Sequence, residues 1–383
     1  MEQFHFLPGQ NYDCVRCAKG CGVPWRIHVD PYSERKVSGT ALELRVIEQH
    51  GASFVNNPEG STLVARRPDG NCVFLGSDRL CTIHGELGVD AKPMGCREFP
   101  FLIRPTPDGI SVGVSFFCTA VQRNQGRPLE AHADEVREIM KGIRFKALGD
   151  EPIPVRGVAV LDWPGYRAVE RLLLKSIDES GLQSGMGRLI LTLCRLIASQ
   201  VPLEASNLDA AVERAEAGFM ERDLINRSQN EFFAAAIVGM LEAPAPEQRR
   251  GLTEALLERR LVAMPRFGWQ GPAMEIETRR EALQGRMDGE IERYLRALIH
   301  RKFLALERPL LDNLAVLYLL PHLLRTYTAL ASLSRRADEP DMDDYYRALD
   351  IVEMDLVTHV RGLEELYGAV AEAHYNQIAA LGT

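Results

Sequence analysis

The chain lacks the features that mark several large classes of protein. Its 383 residues carry 45 Lys and Arg against 53 Asp and Glu, so it has no positive excess for broad binding of nucleic acid or anionic lipid. Residues 1–10 lack the basic flank and the apolar run of a signal peptide. The most apolar long stretch, 311–333, is interrupted by charged residues and a proline, which favours buried helices over a membrane span. We expect a soluble, cytoplasmic protein that binds neither nucleic acid nor membranes.

Common catalytic motifs are also missing. The sequence has no glycine-rich phosphate loop, no GxSxG elbow and no HExxH motif. No glycine-rich turn between a strand and a helix is recognisable as a cradle for a nucleoside methyl donor. No catalytic residue can therefore be identified from the sequence, and whether the protein is an enzyme stays open.

Cysteine is rare in most of the chain and concentrated near its start. Of eight cysteines, seven lie within the first 118 residues. Without a secretory signal, such clustering favours metal thiolates over disulfides. We predict a metal site drawn from these seven: Cys14, Cys17, Cys21, Cys72, Cys81, Cys96 and Cys118. The eighth, Cys194, lies in an apolar helical pattern and is predicted to be a buried structural thiol.

The densest group has the spacing CxxCxxxC. Thiolates at Cys14, Cys17 and Cys21 can reach one metal ion, or the corners of one cluster, from a turning backbone. The radical S-adenosylmethionine signature has the reverse order, CxxxCxxC, which argues against a standard enzyme of that class. Seven thiols exceed the four that a 4Fe–4S cluster or a four-cysteine zinc site needs. The choice between iron–sulfur and zinc, and the choice of ligands, stay open at this point.

Three other residues near the cysteines carry nitrogen donors or positive charge. His84 follows Cys81 by three residues and is expected to support the site from a turn rather than to bind the metal. Lys92 and Arg97 flank Cys96, where positive charge would offset clustered thiolates. Ordinary surface salt bridges are the alternative for both.

The predicted fold class is α+β, with two hairpins in the cysteine-rich module of residues 1–126. Strands at 61–67 and 71–75 would flank the turn Pro68-Asp-Gly70, because proline presets the first corner of the turn and glycine accepts positive φ. Strands at 101–104 and 110–117 would flank Pro107-Asp-Gly109 in the same way. Each hairpin would carry a cysteine on its second strand.

A change to helical periodicity follows the module. A helix over 129–148 begins a helix-and-linker segment, 127–162, and a mostly α-helical domain is predicted over 163–383. Apolar residues recur at steps of three and four in 291–306 and again in 349–367. The acidic run 338–344 lacks the spacing of a calcium loop and is predicted to be a linker and helix cap.

Four cysteine blocks, in a fixed order, carry a family resemblance: Cys14-Val-Arg-Cys17-Ala-Lys-Gly-Cys21, Asn71-Cys-Val-Phe-Leu75, Leu80-Cys-Thr-Ile-His84 and Lys92-Pro-Met-Gly-Cys96-Arg-Glu-Phe-Pro100. They resemble the YkgJ family, whose members are described as carrying a zinc- or iron-chelating domain. The likeness covers about residues 11–120. It departs at Gly22, where the family often has the second cysteine of a doublet.

Flagellin lysine-N-methylases look like a longer branch of that family. The chain is similar to them in Trp25-Arg-Ile-His-Val-Asp30, in Leu87-Gly88 and in its long helical second part. This resemblance implies an iron–sulfur cluster used with S-adenosylmethionine on a protein lysine. It also implies that the helical domain meets a protein partner or protein substrate.

Three functions follow as hypotheses. The first is a cysteine-cluster protein that binds metal, as iron–sulfur of the 4Fe–4S type or as zinc, in a redox, metal-handling or assembly role. The second is an iron–sulfur-dependent lysine methyltransferase that uses S-adenosylmethionine. The third is a structural zinc module of an interaction protein.

Overall fold

The structure of the chain is a computed structural model that describes residues 3–23, 25–141, 147–216, 227–358 and 364–381. It divides into two compact units, residues 1–146 and 147–383. The first unit is a mixture of short strands and short helices, and the second is mostly helical. The predicted α+β class with a large helical part is therefore confirmed at this level.

The described part of the first unit contains seven strands and six helices. Its strands are β1 Phe4–Phe6, β2 Asn11–Tyr12, β3 Phe54–Asn56, β4 Thr62–Val64, β5 Phe101–Thr106, β6 Gly109–Val114 and β7 Arg127–Pro128. Its helices are α1 Pro31–Val37, α2 Ala41–His50, α3 Thr82–Leu87, α4 Met94–Glu98, α5 Thr119–Gln122 and α6 Ala133–Met140. Short 3₁₀ turns cover Lys19–Cys21, Val89–Ala91 and Leu129–His132.

The second predicted hairpin is confirmed. Strands β5 and β6 pair antiparallel, and β1 joins β6 in parallel to complete a three-stranded sheet. Gly109 has φ of +128°, and a Cβ there would lie 2.5 Å from the carbonyl oxygen of Gln3. Only glycine fits this position, because both the backbone conformation and the close approach of β1 exclude a side chain.

The first predicted hairpin is wrong in its pairing. Strand β4 forms within the expected region, but its partner is β3, upstream in the chain. Residues 66 and 72 form a single antiparallel bridge instead of a ladder. Cys72 therefore lies outside any named strand, and Cys118 follows β6 at the start of α5. The turn chemistry was read correctly, but strand partners depend on burial that local sequence does not encode.

A local core supports the cysteine-bearing loops of the first unit. Its buried members come from α1 to α3, from β4 and from the segment after it: Val29, Val37, Leu42, Val46, Val64, Ala65, Val73, Phe74, Ile83 and Ala91. Cys72 and Cys81 pack against this cluster. Two of the predicted site residues are thus anchored on a hydrophobic base.

The second unit is built from ten helices and two hairpins among its described residues. The strands are β8 Ile153–Arg156, β9 Ala159–Leu161, β10 Leu261–Met264 and β11 Trp269–Pro272. The helices are α7 Trp163–Ser180, α8 Leu182–Ala198, α9 Ala205–Glu216, α10 Arg227–Glu242, α11 Pro246–Leu257, α12 Ala273–Glu281, α13 Asp288–His300, α14 Leu310–Ser334, α15 Met342–Ile351 and α16 Glu364–Leu381. Short 3₁₀ turns cover Pro265–Phe267 and Phe303–Ala305, and Val352–Thr358 is π-helical.

The helical predictions are mostly confirmed, with shifts at the ends. The helix expected over 129–148 is a 3₁₀ turn followed by α6, and residues 142–146 lie outside the described part. The stripe 291–306 falls on α13 and the 3₁₀ turn after it. The stripe 349–367 starts in α15, continues through the π-helical segment and ends in α16, with residues 359–363 outside the description. The β10–β11 hairpin was not foreseen, since proline and glycine there suggested only a break.

The acidic run caps a helix, as predicted. The Asp341 side chain accepts hydrogen bonds from the backbone N–H groups of Asp343 and Asp344, at the start of α15. Asp344 in turn pairs with Arg335, at 2.6 Å. These contacts satisfy N–H donors at the start of the helix. The cap and the pair with Arg335 therefore explain the carboxylates of Asp341 and Asp344 without a bound cation.

One described helix, α14, is long and apolar enough to cross a membrane by length and composition alone. Most of its residues are buried inside the protein, as the core helix of a water-soluble domain would be. Tyr318, Thr326 and Thr328 are among the buried residues, and Thr328 bonds back to the Leu324 carbonyl. These observations agree with the prediction of a buried helix for this stretch.

Candidate metal centre

The seven predicted site cysteines lie in loops and at helix starts. Cys14 and Cys17 precede the first 3₁₀ turn, and Cys21 ends it. Cys81 and Cys118 are the N-cap residues of α3 and α5. Cys96 lies within the short helix α4. All eight cysteines of the chain are unpaired, which agrees with a thiol module rather than a disulfide scaffold.

Backbone contacts draw three of the cysteine loops together. The N–H of Cys72 donates to the carbonyl of Cys21 at 2.8 Å. Cys81 forms a bridge with Leu75, three residues after Cys72. Arg66 donates from one terminal nitrogen to the Cys21 carbonyl at 3.1 Å. Segments that are more than fifty residues apart in sequence thereby share one site.

Four thiols form an electrostatically coupled group, called here the thiol quartet: Cys21, Cys72, Cys81 and Cys96. A charge on Cys81 would raise the pKa of Cys21, and charges on Cys21 and Cys81 would raise the pKa of Cys72. Charges on the other three members would raise the pKa of Cys96. A charge on any member of the quartet would therefore raise the pKa of at least one other member.

Burial is the main influence on these thiols. It raises the pKa of Cys72 to about 11 and that of Cys96 to about 12, and it also raises the pKa of Cys21. The Phe74 N–H bonds to Cys72 and opposes the shift. Lys92 acts in the same opposing direction on Cys21 and Cys96. Without a bound cation, several thiolates in this environment would be costly.

The remaining three site cysteines, Cys14, Cys17 and Cys118, form a second group, called here the thiol trio. Charges on Cys17 and Cys14 would raise the pKa of Cys118, which burial already raises to about 11. The N–H groups of Ala120 and Val121 bond to Cys118 and oppose that shift. Cys17 also interacts with Cys21 and so links the trio to the quartet.

Buried N–H donors without partners lie in the same unit. Trp25 Nε1 and the Nε atoms of Arg66, Arg67 and Arg97 are buried and meet no acceptor among the described residues. Arg66 fixes its terminal nitrogens on the carbonyls of Cys21 and Trp25, so only its Nε is left over. Buried donors usually have partners, and a nearby anionic group would supply acceptors for these four. Such donors are not confined to the first unit, since Trp163, Arg188, Arg325 and Tyr345 of the second unit also carry buried ones without partners among the described residues.

Aromatic rings pack beside the CxxCxxxC loop. Trp25 contacts Phe99 and Phe117, with ring centroids 5.5 and 5.0 Å apart. The ammonium of Lys19 lies 4.7 Å from the centroid of Phe117. A Cβ at Gly20 would touch the Trp25 ring at 3.5 Å, so the loop lies close against the aromatic cluster. Phe117 is buried as part of this aromatic cluster.

No three His, Cys, Asp or Glu side chains within the described residues are grouped as a binding site for a metal ion. His84 and His28 are exposed, and His28 Nδ1 lies 3.2 Å from the hydroxyl of Ser61. Neither Lys92 nor Arg97 forms an ion pair in the described part of the chain, so the surface salt-bridge alternative gains no support. Lys92 instead interacts with the quartet.

Sequence reasoning missed Arg66 and Arg67 as part of this site. Both lie inside the predicted strand over 61–67, whereas the structure ends β4 at Val64. A pair of arginines immediately upstream of a cysteine-bearing turn was the available signal. Their importance depends on the bridge from residue 66 to residue 72, which only the tertiary structure shows.

The chain is similar to known proteins over only part of its length and at low sequence identity. An uncharacterized protein of Methanocaldococcus jannaschii is 26% identical over 140 residues, which cover 36% of this chain and 46% of that protein. Flagellar biosynthetic protein FliU of Salmonella muenchen is 26% identical over 108 residues, 27% of this chain and 64% of FliU. The chain thus spans less than two thirds of either relative. No family model matches the chain, and no solved structure matches it significantly.

Proposed function

We propose that the first unit binds an iron–sulfur cluster through the thiol quartet, Cys21, Cys72, Cys81 and Cys96. The observation that carries this proposal is the electrostatic coupling of every pair among these four thiols. Four cysteine thiolates are the usual ligand set of a 4Fe–4S cluster. None of the four cysteines forms a disulfide bond, so all four sulfurs are available as ligands.

Charge compensation supports the same assignment. Cysteine binds metal as the thiolate, and burial disfavours a thiolate that has no positive charge beside it. A bound metal ion supplies that positive charge in place of the lost protons. Lys92 and Arg66, whose charges act on the quartet thiols, would offset the negative charge that a cluster with four thiolates retains. The N–H of Phe74 supplies a hydrogen bond to the Cys72 sulfur, as is common around clusters.

The resemblance to the flagellin lysine methylases favours a cluster over a single zinc ion. Four thiolates suit both occupants, because zinc and iron–sulfur clusters each accept an all-sulfur ligand set. No three ligand side chains among the described residues are grouped for one metal ion, so the geometry does not choose between the two. Zinc stays the alternative occupant, and the experiment below distinguishes the two.

A bound cluster would supply one-electron transfer, or an open iron position for a ligand, depending on its coordination. The protein's own residues would hold and shield it. Trp25, Phe99 and Phe117 would keep water from one side, and Arg66 would fix the loop that carries Cys21. The thiol trio is coupled to the quartet through Cys17 and would be dispensable for a four-ligand cluster.

Lysine methylation with S-adenosylmethionine stays a prediction from the family resemblance. The printed name of FliU assigns that protein to flagellar biosynthesis and states no reaction. The cluster proposal does not depend on it. Redox, metal-handling and assembly roles are each compatible with a cluster held in this way.

Anaerobic purification followed by a visible spectrum and quantification of iron, sulfide and zinc tests the proposal. We expect broad absorption near 400 nm and comparable iron and sulfide. Cys96→Ser should abolish the absorption, whereas Cys194→Ser, a matched change in the second unit, should preserve it. Colourless protein with stoichiometric zinc would replace the cluster with a zinc site, and unchanged metal in Cys96→Ser would contradict the quartet.

A further inference from the structure

An open cavity of about 590 Å³, with a wide face to solvent, is lined by residues of the second unit. Its walls come from the turn between β8 and β9, from the start of α14 and from α16. Small or apolar groups make up much of the lining, among them Gly157, Pro309, Gly368 and Ala369. The volume is in the range of small-molecule sites.

The positive groups near this cavity are already engaged. Arg156 pairs with Glu372 and lies over the ring of Tyr375, 4.5 Å from its centroid. Arg308 donates to the side-chain oxygen of Asn313 at 2.9 Å and lies 4.9 Å from the centroid of Tyr367. Neither guanidinium makes a hydrogen bond to Asp312, a carboxylate that also lines the cavity.

The Asp312 carboxylate is the group that lacks a donor. It is partly buried, and no described residue donates a hydrogen bond to it. Burial raises the pKa of Asp312, while the charges of Arg156 and Arg308 act in the opposite direction. A Cβ at Gly368 would lie 3.9 Å from one carboxylate oxygen and near no other atom. The glycine therefore leaves open space directly beside the carboxylate.

We propose that this cavity binds a small protonated aliphatic amine, with its ammonium group on Asp312 and its carbon chain against Pro309, Gly368 and Ala369. An ammonium group supplies the N–H donors that the carboxylate lacks, and a charge-assisted bond in a partly buried site is strong. An inorganic cation fits less well, because magnesium and calcium require about six oxygen ligands. The cavity offers one uncommitted carboxylate, beside the Arg156–Glu372 pair and next to small and apolar groups.

Asp312 also has a structural role that the test must separate from binding. It lies in the first turn of α14, where a carboxylate stabilises the helix dipole. Asp312→Asn removes the charge and therefore affects both roles. Gly368→Leu keeps the carboxylate but fills the space beside it, so its effect on amine binding does not depend on the helix dipole.

Isothermal titration of the full-length protein with butylamine, 1,4-diaminobutane, butanol and magnesium chloride tests the proposal. We expect both amines to bind, with butanol and magnesium producing no saturable heat. Asp312→Asn and Gly368→Leu should each weaken amine binding about ten- to hundredfold. Glu179→Gln, on the exposed face of α7, is the control and should bind as the parent does.

Three outcomes would overturn the amine site. One is the absence of saturable heat with either amine. Another is equal amine affinity in the parent and in both cavity variants. The third is equal binding of butanol, which would show that the ammonium contributes nothing. A thermal melt of each variant confirms that the protein titrated is folded. The metal content of the first unit plays no part in these readings, so the two proposals fail independently.

Discussion

Cysteine has two different roles in this chain, set by what surrounds each sulfur. The site cysteines of the first unit form two groups whose members influence one another electrostatically. Cys194 lies fully buried in the apolar helix α8, as the sequence predicted. The same thiol group is therefore a candidate ligand in one place and a core side chain in the other.

Cys194 should resist alkylation in the folded protein. Burial raises its pKa from the ordinary 9.0 to about 12, so its thiolate fraction at pH 8 is about a thousandfold below that of a free thiol. Exposed Cys14 should react rapidly with iodoacetamide under the same conditions in metal-free protein. Mass spectrometry of peptides after timed alkylation gives both rates. Fast labelling of Cys194 before unfolding would contradict its burial.

The same shift sets the sign of a pH effect on stability. Below pH 9 the thiol is protonated in both the folded and the unfolded state, so its contribution to stability is fully present. As pH rises from about 9 towards 12, the unfolded thiol ionises first and the contribution is lost. Urea unfolding of the parent and of Cys194→Ala should show a smaller decline above pH 9 in the variant. Equal declines would assign the effect to other groups, such as buried tyrosines.

Arg66 should hold the quartet together through its shape as well as its charge. Its two terminal nitrogens bond to the carbonyls of Cys21 and Trp25, a fork that lysine cannot reproduce. Arg66→Lys should lower metal retention against a chelator, whereas Arg45→Lys, at an exposed pair with Glu86, should not. The release of metal is followed by the loss of visible absorption. Equal retention in the two variants would leave Arg66 without a special role.

At the scale of elements, the end of α13 joins three parts of the second unit. Arg301 bonds to Glu353 in the π-helical segment, and Glu353 also accepts from the hydroxyl of Tyr294. The next residue, Lys302, has φ of +62° and bonds to Glu170 of α7 at 2.8 Å. The buried side chains of Arg301 and Lys302 thus bind two different elements. The positive φ of Lys302 lets these consecutive side chains point in different directions.

Loss of the Glu353 charge should strongly destabilise the second unit. Glu353→Gln leaves Arg301 buried without its carboxylate, at a cost of about 3–5 kcal/mol. Glu179→Gln removes an exposed partner of Lys175 and should cost no more than about 0.5 kcal/mol. Urea unfolding monitored by helical circular dichroism measures both. A Glu353→Gln variant as stable as Glu179→Gln would show that Arg301 finds solvent or another acceptor.

At the scale of the whole molecule, the division between residues 146 and 147 assigns separate roles to the two units. All seven site cysteines belong to the first, and the amine cavity belongs to the second. The sequence placed the end of the cysteine module at residue 126 and a linker at 127–162. Helix α6 belongs with the first unit, where the buried His132 just before it bonds to the Tyr12 carbonyl at 2.7 Å.

Each unit, expressed alone, should keep the property assigned to it: metal binding for the first unit and helical structure without metal for the second. The fragment 1–146 should retain the metal content of the full chain, and 147–383 should retain its helical circular dichroism without metal. In the full chain, chelation should shift only the unfolding transition of the first unit, because metal binding stabilises the unit that holds the ligands. A shift of both transitions would contradict this independence.

The fold class, the hairpin of β5 and β6 and the helical stripes could be predicted from the amino-acid sequence, and the candidate cysteines could be identified from it. Each of these is a local property, because turn residues, apolar periodicity and residue type are readable within a short window. Asp341 as a helix cap and Cys194 as a core thiol were predicted for the same reason.

The grouping of the cysteines and the surroundings of each thiol became visible only in the folded chain. The division into a quartet and a trio depends on loops joined across more than fifty residues, such as the bond from Cys72 to Cys21. The pairing of β4 with β3 and the donors left over on Arg66 and Arg67 are equally non-local. Asp312 became a site candidate only when folding placed it in a cavity away from donors. Such features arise from burial and long-range contact, which no short stretch of sequence encodes.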